Sequence, residues 1–329
     1  MELRQPLHIE LGRNPSTIQK TTPDSVIHGK YRHIKGMTMV LLGAVLWGVS
    51  GTAAQVLFQR DGFNPAWLVS VRMTTSGLLL LIALTARFGF AHTFAIWKNK
   101  RDAFGIVLLG IIGLLGVQYS YFASIRYGNA ATGTLLQYLG PIFITIYVAL
   151  RRRQIPSVKQ LTAVLIALLG VLFLVTNGNW HSLSIAPLAV IWGFISAITL
   201  AFYTLYPAAL LRTYGASTVM GWGMFIGGIG MSLMAPPWTF SGYSAPGTWF
   251  LVGFVTLFGT LLAFYIYIAS LKYISASEAS LLACGEPLSA TILTVAALHV
   301  PMSCSSILGA ICILTTVTIL ARSKSEQSI

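Results

Sequence analysis

The chain has 329 residues, 55% of them hydrophobic and only 9% charged, where a soluble domain carries about a quarter charged residues. With a mean hydropathy of +0.76 it reads as an integral membrane protein, not a soluble globular enzyme. The net charge of +13 would suit nucleic acid if it formed one face, but the basic residues are scattered between apolar runs, so the charge is topological and no nucleic-acid partner is expected.

Residues 1 to 35 are polar and mixed, without the apolar core and cleavage site of a secretory signal. They are expected to be a poorly ordered cytoplasmic tail ending in Lys30, Arg32 and Lys35. Apolar runs of about 20 residues then recur, each enough to cross roughly 30 Å of hydrocarbon at 1.5 Å per residue. They lie near 37–58, 66–86, 103–124, 129–149, 158–176, 185–206, 216–235, 247–269, 277–298 and 303–321. The expected fold is an all-α integral membrane protein with ten transmembrane helices.

Of the 21 lysines and arginines, 18 fall in tails and loops on the side of the N-terminus, Arg60 and Arg126 on the other side, and Arg72 inside a span. Positive charge is retained inside, which puts both termini in the cytoplasm, with Arg151 to Arg153 as an anchor. The outer loops 177–182 and 236–247 carry Trp180, Trp238 and Tyr243, residues suited to the membrane interface.

Displacing the sequence by 146 positions lays 113–146 on 259–292, with identical pairs that include Gly113/Gly259, Tyr119/Tyr265, Tyr121/Tyr267, Ser124/Ser270 and Pro141/Pro287. The repeat unit holds five spans, an odd number, so the second copy enters the membrane in the opposite sense. Inverted repeats of this kind build secondary transporters, with the substrate site near the midplane where the halves meet. The expected organisation is a tail to residue 35, a first repeat over 36–176, an outer loop at 177–184, a second repeat over 185–321, and a cytoplasmic tail at 322–329.

Glu286 lies near the middle of the ninth span, where a carboxylate costs roughly 2.5 to 3.5 kcal/mol on insertion scales. It could exchange a proton as a cavity opens to either side, or pair with a cationic group of a substrate. The alternative is a hydrogen bond that only positions the helix. Pro141 and Pro287 share a repeat position, and each removes a backbone hydrogen bond. The freed carbonyls, near Gln137 and Ala283, could bind substrate or mark a hinge. Gln137 and Tyr138, polar groups at mid-span, need partners: either a substrate or a neighbouring helix. Trp47, Tyr203 and Tyr265 are candidates for a cavity wall or an apolar core, with Tyr119 equally ambiguous. Arg72 could snorkel outward, pair with a carbonyl or neutralise a substrate, and snorkelling or structural pairing is the expected outcome. Gly110, Gly113 and Gly116, and the spaced pair Gly223 and Gly227, allow close approach of helices.

The first-helix stretch GAVLWGVSG (43–51), the Arg72 of VSVRMTTSGLLLL, and the hairpins YFASIRYGNAATGTLLQYLGPIF (121–143) and YIASLKYISASEASLLACGEPLSA (267–290) together carry a resemblance. The chain resembles the drug/metabolite transporter superfamily, and within it the bacterial permeases with two EamA domains, over about 36–321. That likeness implies a ten-helix exporter or exchanger of small metabolites, amino acids or related compounds, working in the inner membrane by alternating access without ATP. It also implies a central cavity lined by helices one, three, four, six, eight and nine. The chain departs from the family at ALRRRQIPS (149–157) and ALHVPMS (297–303), where relatives often carry an LGE-type turn, while Glu286 in its GEP setting matches many of them.

No zinc or redox spacing joins Cys284, Cys304 and Cys312, and no HExxH, GxxxxGK[ST] or GxSxG motif occurs, so neither metal nor cofactor is expected. The expected partners are a small-molecule substrate, the lipid bilayer and protons. A membrane enzyme acting on lipid would want an acid with a histidine at one depth, and Glu286 stands alone in its span. A non-transporting partner subunit is the remaining alternative.

Overall fold

The computed structural model of the chain describes residues 23–153, 157–179, 184–239, 242–274, 278–279 and 282–326. Among these there is no strand. We label the main helices α1 (Pro23–Gln59), α2 (Pro65–Phe88), α3 (Lys100–Tyr127), α4 (Ala130–Gln137 continued by Gly140–Arg152), α5 (Val158–Thr176), α6 (Pro187–Leu205, extended by Ala208–Tyr214), α7 (Ala216–Ser232), α8 (Pro246–Ser270), α9 (Gly285–Ala296) and α10 (Cys304–Glu326).

Seven of them, α1 to α6 and α8, are long and apolar enough to cross a membrane. The others are shorter: α7 has 17 residues and α9 has 12, and the apolar part of α10 is Cys304–Ile319. Of the expected span at 277–298, residues 277, 280 and 281 lie outside the described residues; Gly285–Ala296 forms α9, preceded by a turn at Ala283 and Cys284 and carrying Pro287 in its first turn. The first helix departs in the other sense. It begins at Pro23, inside the stretch expected to be a tail, because a proline is well placed in the first helical turn. Trp180 and His181 of the outer loop lie outside the described residues, as do residues 1–22.

The starts of the helices are written in the sequence. Asn64 caps α2, its Oδ1 accepting the Ala66 N–H at 2.9 Å, with Pro65 in the first position. Asn129 caps α4 by accepting the Thr132 N–H at 2.8 Å, and Ser157 with Gln160 forms a capping box on α5.

Side-chain bonds show which ends lie together. At one end, Ser70 at the start of α2 bonds Ser232 at the close of α7 at 2.7 Å, and Ser124 late in α3 donates to the Ala189 carbonyl early in α6 at 2.8 Å. At the other end, Tyr214 at the close of α6 donates to Asp102 early in α3 at 2.7 Å, and His33 of α1 meets Glu278 before α9 at 2.9 Å. Successive helices thus run antiparallel. The second end carries most of the lysines and arginines and is called the basic end below; the first is the far end.

The packing has an internal symmetry. α2 packs on α7, α5 on α10 and α4 on α9; α3 packs on α6 as α8 packs on α1; α4 packs on α6 as α9 packs on α1. Exchanging each of α1–α5 for its counterpart in α6–α10 leaves these pairings unchanged. Both α3 and α8 contain a π-helical stretch, at Leu109–Leu115 and Phe254–Leu262, around the repeat mates Gly113 and Gly259. The exchange fails at α1. Its far half packs on α3 and α4, whereas α6 makes no comparable packing on α8 or α9 among the described residues.

Glycines set how closely the helices cross. A Cβ at Gly110 would meet the Gly223 carbonyl at 3.0 Å, and one at Gly227 the Gly110 carbonyl at 2.7 Å, so the expected close approach joins α3 to α7. Gly48 of α1 lies against α9: a Cβ there would run into Ser289 Oγ and stand 2.7 Å from the Glu286 carbonyl. Gly48→Val is accordingly expected to force α1 off α9 and cost about 1 to 3 kcal/mol, read as a lower unfolding temperature in detergent; an unchanged temperature would show spare room in this contact.

Candidate functional site

A cavity of about 600 Å³ lies between the two sets of helices. Its walls reach the basic end through Leu211 in the extension of α6, Ala216 at the start of α7 and Leu271 just past α8. Toward the far end it stops at Arg72, Tyr121 and Phe122.

The wall is built twice from the same register. In α3, Gln118, Tyr121 and Phe122 face the cavity; in α8, their repeat mates Phe264, Tyr267 and Ile268 do so. The spacings i, i+3 and i+4 form a single helical stripe. Trp47 of α1 closes the side, its ring edge-on to Phe264 at 5.0 Å and tilted against Tyr267 at 5.4 Å. Tyr203 lines the wall from α6 and donates its hydroxyl to Met220 sulfur at 3.4 Å.

The polar centre is where α4 is broken and α9 begins. α4 turns at Tyr138 and Leu139 before restarting at Gly140, with Pro141 in the second position. α9 starts at Gly285 after the equivalent turn, so Glu286 and Pro287 lie in its first turn. A carboxylate in a first turn is favoured by the unpaired N–H groups and the positive end of the helix dipole. Tyr138 crosses between the two helices: its hydroxyl donates to the Ala283 carbonyl at 2.6 Å and lies 3.3 Å from Glu286 Oε2. The Ala283 carbonyl, which receives no N–H from Pro287, accepts the Glu286 N–H at 2.9 Å together with this phenol. Gln137 donates through Nε2 to Ser196 Oγ of α6 at 2.7 Å, which leaves its amide oxygen for other partners.

Of the residues singled out from sequence, Glu286, Gln137, Tyr138, Trp47, Tyr203 and Pro141 line this one cavity, and Pro287 is buried beside it. Tyr265 does not line it. It is 60% exposed on the outer side of α8, because the stripe through Phe264 and Tyr267 leaves position 265 about 100° away. Its mate Tyr119 is likewise absent from the wall and stacks edge-on to Trp192 at 5.3 Å. The shared pair that does face the cavity is Tyr121 and Tyr267, and the repeat alignment already contained it.

Arg72 does not snorkel. It is 4% exposed, walls the deep end of the cavity, and lies with its guanidinium 4.5 Å above the ring of Phe122. Tyr121 beside it is bonded to Thr134 at 3.0 Å.

The far end is sealed. Gln55 Oε1 accepts the Ala130 N–H at 2.8 Å, and Gln55 Nε2 donates to Gln59 Oε1 at 3.1 Å. Gln59 Nε2 donates to the carbonyls of Gly128 at 2.6 Å and Ile125 at 3.2 Å. Beyond them the fully buried Phe58 packs on Phe122, and Phe63 on Trp67, with ring centroids 5.3 Å apart in each pair. The buried Asp61 accepts from Arg60 Nε at 2.8 Å and from Thr248 Oγ1 of α8 at 3.1 Å, while its carbonyl accepts the Tyr243 N–H at 2.8 Å. Asp61 holds the Arg60 guanidinium above its ordinary range through this bond.

Three comparisons place the chain among known proteins. The family model described as EamA-like transporter family matches residues 34–176 and again 187–322. A Salmonella typhimurium protein described as the uncharacterized inner membrane transporter YicL is 37% identical over 293 residues, covering 87% of this chain and 95% of that protein. A Bacillus subtilis protein described as the uncharacterized transporter YyaM is 21% identical over 291 residues, covering 86% and 92%. A solved crystal structure superposes with a TM-score of 0.59 at 18% identity over 88% of this chain and 97% of its own, a likeness of fold alone.

Proposed function

We propose that this chain, which belongs to the EamA-like transporter family, moves a small organic metabolite across the inner membrane by alternating access, outward and coupled to protons. The metabolite class is an amino acid, an amine or a related compound. The observation that carries this reading is the broken symmetry of α1 and α6 among the described residues: one cavity, reachable from the basic end, closed at the far end by contacts of α1 to which α6 shows no comparable packing on α8 or α9 there. If α6 closed on α8 and α9 while α1 released α3 and α4, the same cavity would face the other way. Transport by inverted repeats works in this manner around a fixed midplane site.

In this reading α7, α9 and α10 complete ten spans, the repeats over 36–176 and 185–321 are inverted, and the basic end with both termini is cytoplasmic. Glu286, Gln137, Tyr138, Trp47 and Tyr203 contact the substrate. Pro141 and Pro287 mark the hinges, since the two halves of α4, and α9 after the turn at Ala283 and Cys284, can tilt without losing further backbone bonds. No ATP and no cofactor takes part, and the chain is a carrier, not an enzyme.

The test is flux. Purified protein in liposomes with an imposed proton gradient is expected to move at least one member of a panel of amino acids, amines and nucleosides. Failure to move any of them would sink the reading.

A further inference from the structure

Arg72 is the one charge in the cavity wall to which the cycle above gives no task. It lies about two turns into α2, in the half nearer the sealed far end. Among the described residues its Nε has no hydrogen-bond partner, and no carboxylate comes within ion-pairing distance of its head. A guanidinium carries five N–H donors and accepts nothing, and a buried charge without a partner is costly. The face of Phe122 offsets part of that cost through its quadrupole, but a ring face leaves the N–H fork unused. The neighbouring phenol of Tyr121 is already bonded to Thr134. Glu286, the opposite charge of the cavity, stands on another wall beside Tyr138.

We propose that Arg72 is an anion-binding subsite and that the transported solute carries a carboxylate at one end and an amine at the other. The carboxylate is held by the fork of Arg72 and the amine is directed at Glu286. This rests on the transporter reading above and narrows it. The planar fork matches a carboxylate in bidentate fashion, which an ammonium does not. A single negative charge neutralises Arg72; a phosphate dianion would leave excess negative charge in an apolar cavity that already holds Glu286. A simple amine would leave Arg72 unpaired and bring a like charge to the same cavity. Between the two charges the wall is Trp47, Phe264, Tyr267 and Tyr203, so an apolar side chain suits the middle of the solute.

The experiment uses the full chain in liposomes, given an equimolar mixture of amino acids, their amides and their decarboxylated amines, with uptake read by mass spectrometry. Amino acids are expected to enter, with amides and amines slower by roughly tenfold or more, the loss of a charged hydrogen bond. R72Q and R72K should each lower amino-acid uptake by roughly tenfold or more, R72K because it keeps the charge and loses the fork. R72Q should unfold no earlier than wild type, whereas a purely structural arginine would lower its unfolding temperature. Equal uptake of amines or amides by wild type overturns the subsite and leaves the transporter reading intact, as does wild-type uptake by a folded R72Q. Should R72Q not fold, undiminished amino-acid uptake by R72K overturns it instead. Absence of uptake for every compound overturns both.

Discussion

Glu286→Gln is expected to abolish the pH dependence of transport and to lower proton-driven flux by roughly 10- to 150-fold, the equivalent of one hydrogen bond to a charged group, while leaving some substrate binding. The reason is the geometry at the break between α4 and α9. Tyr138 has one phenolic proton and two claimants, the Ala283 carbonyl at 2.6 Å and Glu286 Oε2 at 3.3 Å. An ionised Glu286 competes with Ala283 for that proton; a neutral Glu286 can itself donate to the Tyr138 oxygen and leave the Ala283 bond in place. The protonation state of the acid thereby sets how α4 is tied to α9, beside a cavity that also holds Arg72. Glutamine fits the same space and can donate to Tyr138, but it has no proton to exchange. Flux in liposomes across a series of pH gradients measures this directly, and proton-driven transport equal to wild type would remove Glu286 from the mechanism.

A second variant acts at the sealed end. Removing both amides in Gln55→Ala with Gln59→Ala takes away the bonds that join α1 to Ala130, Gly128 and Ile125. At about 0.5 to 1.5 kcal/mol for each of these bonds, the population open to the far end should rise roughly ten- to a thousandfold. The gain is specific to one state, because these bonds exist only while α1 lies on α3 and α4. Ser50, buried on α1 beside the cavity, is a suitable reporter. In a background with Cys284, Cys304 and Cys312 replaced by serine, Ser50→Cys should react with a membrane-impermeant thiol reagent from outside at least tenfold faster when both glutamines are absent. An unchanged labelling rate would mean that the seal rests on Phe58, Phe63 and Trp67 instead.

Much of this architecture is legible in the chain because the membrane leaves few options. Backbone polar groups must be satisfied within each span, so long apolar runs become helices, and the repeat supplies their pairing. The candidate site is legible at Glu286, an acid in an apolar run, and at Gln137 and Tyr138, polar groups at mid-span. What escaped was rotation. Apolar and aromatic residues occur all round a membrane helix, so periodicity does not say which face meets the cavity. The pattern therefore does not tell Tyr265 from Tyr267 two positions away. Arg72 escaped for a different reason: a long basic side chain in a span can usually reach an interface, and only the packing of Phe122 beneath its head shows that this one does not.

The paired π turns of α3 and α8 have a consequence for how such a cavity can be retuned. Each holds a surplus residue relative to an α-helix at that place, so the part of the helix before it and the part after it are phased independently. A surplus residue can migrate along a helix without changing the chain length between its ends. Each step re-aims the residues it passes by about 100° while the flanking segments keep their neighbours. Moved toward the far end by a turn, the one in α3 would turn Gln118 away from the cavity and bring another residue in its place, with Gly110 still seated on α7. Two copies of the device, one in each repeat, let the two walls change their chemistry separately inside one unchanged scaffold.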